Sequence, residues 1–254
     1  MSTIQEWNER YALKFAGAEA LPRAQRVLLS LVGSGQRVLD VGCGSGFYTT
    51  QFRDLGNKMA ATDITVEGVR TVVQTGVPVT LSDVEKGLPF ADESFDMVPF
   101  IEVVEHLLRP DLALREIRRI LRPGGLLLLT TPNYAHWVLR LLYLFGVLPV
   151  GLRSRPYAGF ASRRQADTIP PWLDPHIRFF SPHSLRDYLS DGGFDLLLLR
   201  STFVAFPSGL APYLPFFLGF PLRVLGKLLG NPDFAGDHFP SLLAAGMMVK
   251  AVKR

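Results

Sequence analysis

Residues 38–46 read Val38-Leu39-Asp40-Val41-Gly42-Cys43-Gly44-Ser45-Gly46, an apolar run that closes on an acid and opens into three alternating glycines. The run Arg37–Val41 predicts a strand and Gly46–Leu55 a helix, so the glycines form the turn between them. Glycine there lets a ligand approach the backbone, and the helix N-terminus is expected to offer free N–H groups. What the loop lacks narrows the ligand. A dinucleotide fingerprint needs a third glycine where Phe47 or Thr49 stands, and a P-loop needs a Gly-Lys-Ser/Thr ending that is not there. The remaining pattern, Asp40-x-Gly42-x-Gly44-x-Gly46, suits a ligand carrying positive charge better than a pyrophosphate.

Outward from this loop the chain alternates short apolar runs with amphipathic ones. Strands are predicted over Met59–Thr62, Val77–Leu81, Phe95–Phe100 and Leu126–Thr131, and helices over Val66–Thr75 and Asp111–Leu121. Such alternation implies right-handed βαβ crossovers and a parallel sheet covered on both faces. Arg122-Pro123-Gly124-Gly125 reads as a sharp helix stop. Further on, Ser181-Pro182 reads as an N-cap and first-turn proline opening a helix to about Ser190. Phe194–Ser201 and Leu242–Val252 read as two more strands.

The chain has 254 residues, 48% of them apolar and 20% charged, which suits one α/β domain and excludes a disordered chain. Its single cysteine, Cys43, cannot form an intramolecular disulfide or a cysteine-based zinc site. No basic stretch followed by an apolar one opens the sequence, so a cytoplasmic setting is expected. The net charge of +4 is uneven. Residues 1–133 carry 14 Lys and Arg against 16 Asp and Glu, whereas residues 134–254 carry 13 against 7. The basic residues flank apolar runs rather than lining a polar face with interleaved aromatics. That argues against a nucleic-acid partner and for peripheral contact with an anionic membrane surface, on its inner face.

The glycine segment resembles the first motif of the class I S-adenosylmethionine-dependent methyltransferases, and neighbouring motifs agree. Asp63 closes the second strand in Ala60-Ala61-Thr62-Asp63-Ile64, and Asp83-Val84 follows the third in Ser82-Asp83-Val84-Glu85-Lys86-Gly87-Leu88-Pro89-Phe90. Phe95-Asp96-Met97-Val98 and Leu121-Arg122-Pro123-Gly124-Gly125 are further landmarks, and the match is dense over residues 36–133. The resemblance implies a Rossmann-like, seven-stranded, mostly parallel sheet with its last strand antiparallel, and S-adenosyl-L-methionine as cofactor. It implies that Asp63 accepts hydrogen bonds from the ribose hydroxyls, that Asp83 meets the adenine amino group and that Val84 packs on the ring. Asp40, Gly42, Gly44, Gly46 and Ile64 complete the cofactor-binding candidates.

Ile101-Glu102-Val103-Val104-Glu105-His106-Leu107 ends the fourth strand, where an open α/β sheet places reacting groups. His106 is the catalytic candidate, as a general base toward an acceptor hydroxyl. Two other readings stay open. These residues could simply start and cap a helix. The spacing is also similar to that of the ubiquinone-biosynthesis O-methyltransferases, where the resemblance implies Glu102, Glu105 and His106 as metal ligands; no resident metal is assigned on it. Thr131-Pro132-Asn133-Tyr134-Ala135-His136-Trp137-Val138-Leu139-Arg140-Leu141 resembles the MetW group, as do Gly76-Val77-Pro78-Val79 and Glu85-Lys86-Gly87-Leu88. That likeness implies an alternative: a methyltransferase-fold subunit that binds and activates another enzyme, such as a homoserine acyltransferase. His176, in His176-Ile177-Arg178-Phe179-Phe180-Ser181, is read as structural.

The expected layout is a single methyltransferase domain over 1–254. It comprises a helical lid at 1–34 (with Trp7, Arg10 and Tyr11), a cofactor-binding core at 35–133, an acceptor-side insertion at 134–180, and C-terminal strands at 181–254 interrupted by an apolar insertion at 202–240. Ser201–Leu222 carries no charge for 22 residues, but Pro207, Pro212, Pro215 and Pro221 oppose a membrane-spanning helix. An interfacial segment or a roof over the acceptor pocket is expected there, with a second apolar helix over Trp137–Leu152. The function expected is methyl transfer to a small or lipid-like acceptor, at oxygen.

Overall fold

The computed structural model describes residues 23–144, 146, 176–204 and 244–254. The expected lid residues Trp7, Arg10 and Tyr11 lie outside them, as do residues 205–240 of the expected apolar insertion 202–240, whose first three residues belong to a strand, and most of the acceptor-side insertion. Seven strands form one sheet: β1 (Arg37–Val41), β2 (Lys58–Asp63), β3 (Val79–Leu81), β4 (Phe95–Ile101), β5 (Leu121–Pro132), β6 (Phe194–Val204) and β7 (Ala244–Lys253). Their order is β3-β2-β1-β4-β5-β7-β6, and only β7 runs antiparallel to its neighbours. The helices are α1 (Arg23–Ser30), α2 (Phe47–Asp54), α3 (Val66–Val73), α4 (Pro110–Ile120), α5 (Trp137–Leu144) and α6 (Pro182–Asp191).

The period-two alternation of the strands divides the core between the sheet's two faces. Leu39, Val41, Val98, Phe100, Leu127, Leu129, Val249 and Ala251 pack with Ala113, Leu114, Ile117 and Ile120 of α4 and with Leu185 and Leu189 of α6. The intervening residues Val38, Met97, Leu128 and Met248 pack the other way, with Leu28 of α1 and Phe52 of α2. Strands buried on both faces read as continuous apolar runs, which is why RVLDV gives four consecutive buried residues after an exposed Arg37.

Several boundaries differ from expectation for identifiable reasons. β3 begins at Val79 rather than Val77, since Pro78 has no N–H to give to a ladder and serves only as acceptor, from Ala61 N at 2.9 Å. The helix stop at Arg122–Gly125 lies inside β5 rather than before it. Leu121 pairs with Phe95, Leu126 with Met97, and the residues between form a bulge that Gly124 permits at φ +70°. Ser181 caps α6 as expected, accepting from Ser184 N at 3.1 Å, with Pro182 in the first turn. The strand order reverses between β1 and β4, so the crevice where such sheets bind ligands lies outside the carboxyl ends of these two strands.

Candidate active site at the switch point

The glycine loop leaves β1 beside β2 and holds positive φ at all three glycines: +76° at Gly42, +50° at Gly44 and +77° at Gly46. Their reasons differ. A Cβ on Gly42 would stand 2.5 Å from Val103 Cγ2, and one on Gly46 2.8 Å from Val72 Cγ2, so these two glycines permit close packing. At Gly44 nothing lies within 4 Å, and the loop is open there to a ligand.

The amides of the glycine loop itself, ahead of the helix, are engaged within the protein. Gly42 N and Cys43 N both donate to Thr62 O, at 2.8 and 3.1 Å, and Gly46 N donates to Cys43 O at 2.8 Å. Gly44 N donates to Asp63 Oδ2 at 2.8 Å. A phosphate cradle needs such N–H groups turned toward the anion. Here they are spent on the protein, so the loop supplies shape rather than positive potential. Buried Asp40 lies beneath it and accepts from Thr49 Oγ1 at 2.5 Å. Burial, reinforced by the charge of Asp63, pushes the Asp40 carboxyl up to about 6 against the opposing Thr49 bond.

Asp63 ends β2 as the hub of its corner. Its Oδ1 accepts from Thr65 N at 2.8 Å and Thr65 Oγ1 at 2.7 Å, while Thr65 caps α3 by accepting from Gly68 N. Asp63 thus supports the cap instead of being it, and its Oδ2, which takes only Gly44 N, retains room for another donor. Ser82 N donates to Asp63 O and joins the ends of β2 and β3. There Asp83 takes Glu85 N on Oδ1 at 3.0 Å and Lys86 Nζ on Oδ2 at 3.1 Å. Ile64 is 64% exposed, a large apolar side chain open to a ligand ring, whereas Val84 is built into the core at 7%.

On the β4 side, Glu102 takes the left-handed conformation at φ +54°, and Val104–His106 form one 3₁₀ turn. The turn leaves His106 exposed and Glu105 wholly buried. Glu105 Oε2 accepts from Thr131 Oγ1 at 3.1 Å. Burial first, and the Glu102 charge second, push its carboxyl up to about 9. His176 reaches the same place: its ring centroid is 4.8 Å from that of His106, and its Nδ1 is 2.5 Å from the Tyr134 hydroxyl. One ligand atom each from Glu105, His106 and His176 falls within 4.8 Å of the others. This set replaces Glu102 of the resemblance with His176. Ligation would need the Glu105 carboxyl deprotonated, which its burial opposes and a bound cation would favour.

Beside this group, Tyr134, Tyr143, Phe179 and Phe180 line a cleft of about 300 Å³ with Ser181 and Ser184 at its edge. A larger cleft of about 680 Å³ lies between α4 and α6 and is lined by none of the site residues. The structure therefore brings Asp40, Gly42, Gly44, Gly46, Asp63 and Ile64 to one loop cluster, with Asp83 and Val84 at the adjoining strand end and His106 across the switch point. Sequence reading misses Thr49, Gly68 and the pairing of Tyr134 with His176. The first two sit within twenty residues of their partners, and only the third needs knowledge of the fold.

A seven-stranded sheet in this order, with an open glycine loop and carboxylates ending its first strands, defines the class I S-adenosylmethionine-dependent methyltransferases. The chain belongs to that family, since the methyltransferase-domain family model matches residues 12–199. Its cofactor is S-adenosyl-L-methionine, and the open Gly44, the consumed amides and the exposed Ile64 fit that ligand. The chain is 34% identical over 140 residues to the ubiquinone biosynthesis O-methyltransferase of Xanthomonas axonopodis pv. citri, covering 51% of this chain and 59% of that one. It is 27% identical over 169 residues to the mitochondrial ubiquinone biosynthesis O-methyltransferase of Rattus norvegicus, covering 63% and 44%. The match thus spans about half the length of these relatives. A SAM-dependent methyltransferase from Thermotoga maritima shares the fold, with a TM-score of 0.61 at 18% identity over 99% of this chain and 97% of that one.

Proposed function

We propose that this protein transfers the methyl group of S-adenosylmethionine to an oxygen of a small, lipid-like acceptor, with His106 receiving the acceptor's proton. The observation that carries this reading is the contact between Gly42 and Val103, which seats the turn bearing His106 directly on the glycine loop. The O-methyltransferase relatives support oxygen as the target. Exposed Leu108, Ile177 and Phe179, next to the two histidines in sequence, suit an acceptor with an apolar body.

When bound, the cofactor supplies a methyl group already activated on a sulfonium. The chain's own work is therefore alignment and exclusion of water. Asp63 accepts the ribose hydroxyls while its bonds to Gly44 and Thr65 keep it in place. Ile64 would pack on the adenine, with Asp83 at its amino group and the core residue Val84 behind it, and Asp40 would set negative charge beneath the loop. His106 would take the hydroxyl proton as the acceptor oxygen gains its bond to the methyl carbon, the carbon–sulfur bond breaking with its electron pair to leave neutral S-adenosylhomocysteine. The same reading places the protein in the cytoplasm with a peripheral membrane contact. Among the described residues no helix is long and apolar enough to cross a membrane.

The test uses the whole chain, methyl-labelled cofactor and a panel of phenols and amines with and without an octyl chain, such as 4-octylphenol and octylamine. Labelled methyl ether from the alkylated phenol is the expected product. Label appearing only on amines would sink the oxygen assignment. Binding of S-adenosylhomocysteine without turnover of any probe would favour a subunit that activates a partner enzyme.

A further inference from the structure

The chain returns from its long insertion through five residues, His176–Phe180, whose bonds tie together the two strands flanking the acceptor side. Ile177 N and Arg178 N both donate to Glu105 O, at 2.9 and 3.0 Å. The Arg178 guanidinium donates to the carbonyls of Leu107 and Leu108, beyond the His106 turn. At the other end Tyr134 N donates to Phe180 O at 2.9 Å, and Asn133 bridges to Phe180. This strap is fastened to the ends of both β4 and β5. Its first residue is thereby fixed beside His106, with the Tyr134 hydroxyl on Nδ1 and the Tyr134 ring against Phe179 at a centroid distance of 4.8 Å.

We propose that His176 is a second acceptor-side group, which with His106 forms a two-imidazole seat for the acceptor's reacting atom, and that Tyr134 is the residue positioning it. The proposal rests on the methyl-transfer reading above and deepens it. With Nδ1 engaged by Tyr134, Nε2 is the nitrogen through which His176 acts. In the proposed arrangement the Tyr134 hydroxyl donates to Nδ1, which puts the hydrogen on Nε2 as a donor toward the acceptor atom. His106 then takes the proton from that atom, while His176 holds it and turns a lone pair toward the methyl group. The strap and Tyr134 hold the ring before any acceptor arrives, so little rotamer freedom is lost on binding. Misplacement of a reacting group by about 1 Å can cost about 100-fold in rate, which is the scale of effect a positioning residue controls.

The experiment uses full-length protein with the variants Tyr134→Phe, His176→Ala and His176→Gln. Calorimetric titration with S-adenosylhomocysteine should give affinities within about twofold of wild type, since none of these residues belongs to the cofactor loop. Methyl transfer to 4-octylphenol should then lose about 100-fold in kcat for His176→Ala and about tenfold for Tyr134→Phe, at unchanged KM for the cofactor. Nitrogen NMR of the labelled imidazoles should show one tautomer of His176 in the wild-type complex and a mixture in Tyr134→Phe. If octylamine is methylated and the phenol is not, the oxygen assignment falls, and the same variants assayed on the amine still decide the seat. If no probe turns over, the tautomers decide alone. Unchanged kcat in His176→Ala, a tautomer indifferent to Tyr134→Phe, or cofactor affinity falling in step with kcat would each overturn the proposal. So would wild-type activity lost to a chelator and restored by Mg²⁺ or Zn²⁺, because His176 would then be a ligand.

Discussion

The two halves of the proposed site are built by different means. The cofactor half is local: Asp40, Gly42, Gly44 and Gly46 lie within seven residues, and Asp63, Ile64, Thr65 and Gly68 within six. Its hydrogen bonds close on themselves, with Thr62 O and the Asp63 carboxylate absorbing the loop amides. The acceptor half is assembled from three distant segments, at Glu102–His106, Thr131–Tyr134 and His176–Phe180, joined by bonds that cross up to 73 residues of chain. A local half tolerates change in the rest of the molecule. An assembled half fails when any one segment shifts, and it is the part that can be altered without touching cofactor binding.

The sharpest separation of the halves should come from His106→Ala. Removing a general base lowers the rate by about 10² to 10⁴-fold, while affinity for S-adenosylhomocysteine should stay within twofold of wild type. Equal loss of both quantities would show that the halves are not separable. Asp63→Ala should do the converse. It removes the ribose acceptor and orphans Gly44 N and the Thr65 donors, each charge-assisted bond contributing about 1.5–3 kcal/mol. Cofactor affinity should fall by about 100-fold or more, and calorimetry reads this directly. Near-native affinity would remove Asp63 from the cofactor's contacts.

Gly42→Ala attacks the one joint where the halves meet. The new methyl would sit 2.5 Å from Val103 Cγ2, at a φ of +76° that L residues avoid. Left-handed backbone costs about 1–2 kcal/mol for alanine and overpacking about 1–3 kcal/mol. Thermal or denaturant unfolding should register a loss of about 2–5 kcal/mol from these terms. Val103→Ala in the same chain should recover the steric part and leave the backbone part. Two single effects that simply add would mean that the joint does not couple the loop to the His106 turn.

This division also explains how much could be read beforehand. Period-two and helical patterns, with glycine and proline punctuation, locate every strand, because each depends on neighbours within one element. The boundary errors at Val77 and Leu126 come from pairing: Pro78 cannot enter a ladder, and the Arg122–Gly125 bulge is visible only once β5 lies against β4. The glycine loop and its acids are recognisable since their spacing is their geometry. What the spacing hides is where the loop amides point, since the fold engages those of Gly42, Cys43, Gly44 and Gly46 within the protein. His176 reads as an isolated histidine, 42 residues from Tyr134 and 70 from His106. Only the strap's bonds to Glu105 bring it to the site.

The smallest expected effect is a pH dependence confined to the cofactor half. Asp40 is held up to about 6 by burial, whereas an exposed aspartate titrates near 3.9. Between about pH 4 and pH 6 the folded state therefore binds more protons than the unfolded one, and this group's contribution to stability falls as pH rises through that window. Cofactor affinity should run the other way. A ligand with positive charge gains from the carboxylate only once it is ionised, so affinity for S-adenosylmethionine, with its sulfonium, should rise several-fold from pH 5 to pH 7. Asp40→Asn keeps an acceptor for Thr49 but cannot ionise, and its affinity should be flat across the same range. Turnover measured at saturating cofactor should not follow this titration, because Asp40 lies beneath the loop and away from His106. A wild-type affinity as flat as that of Asp40→Asn would reduce Asp40 to an anchor for Thr49. The local half would then bind its ligand by shape and the Asp63 corner alone.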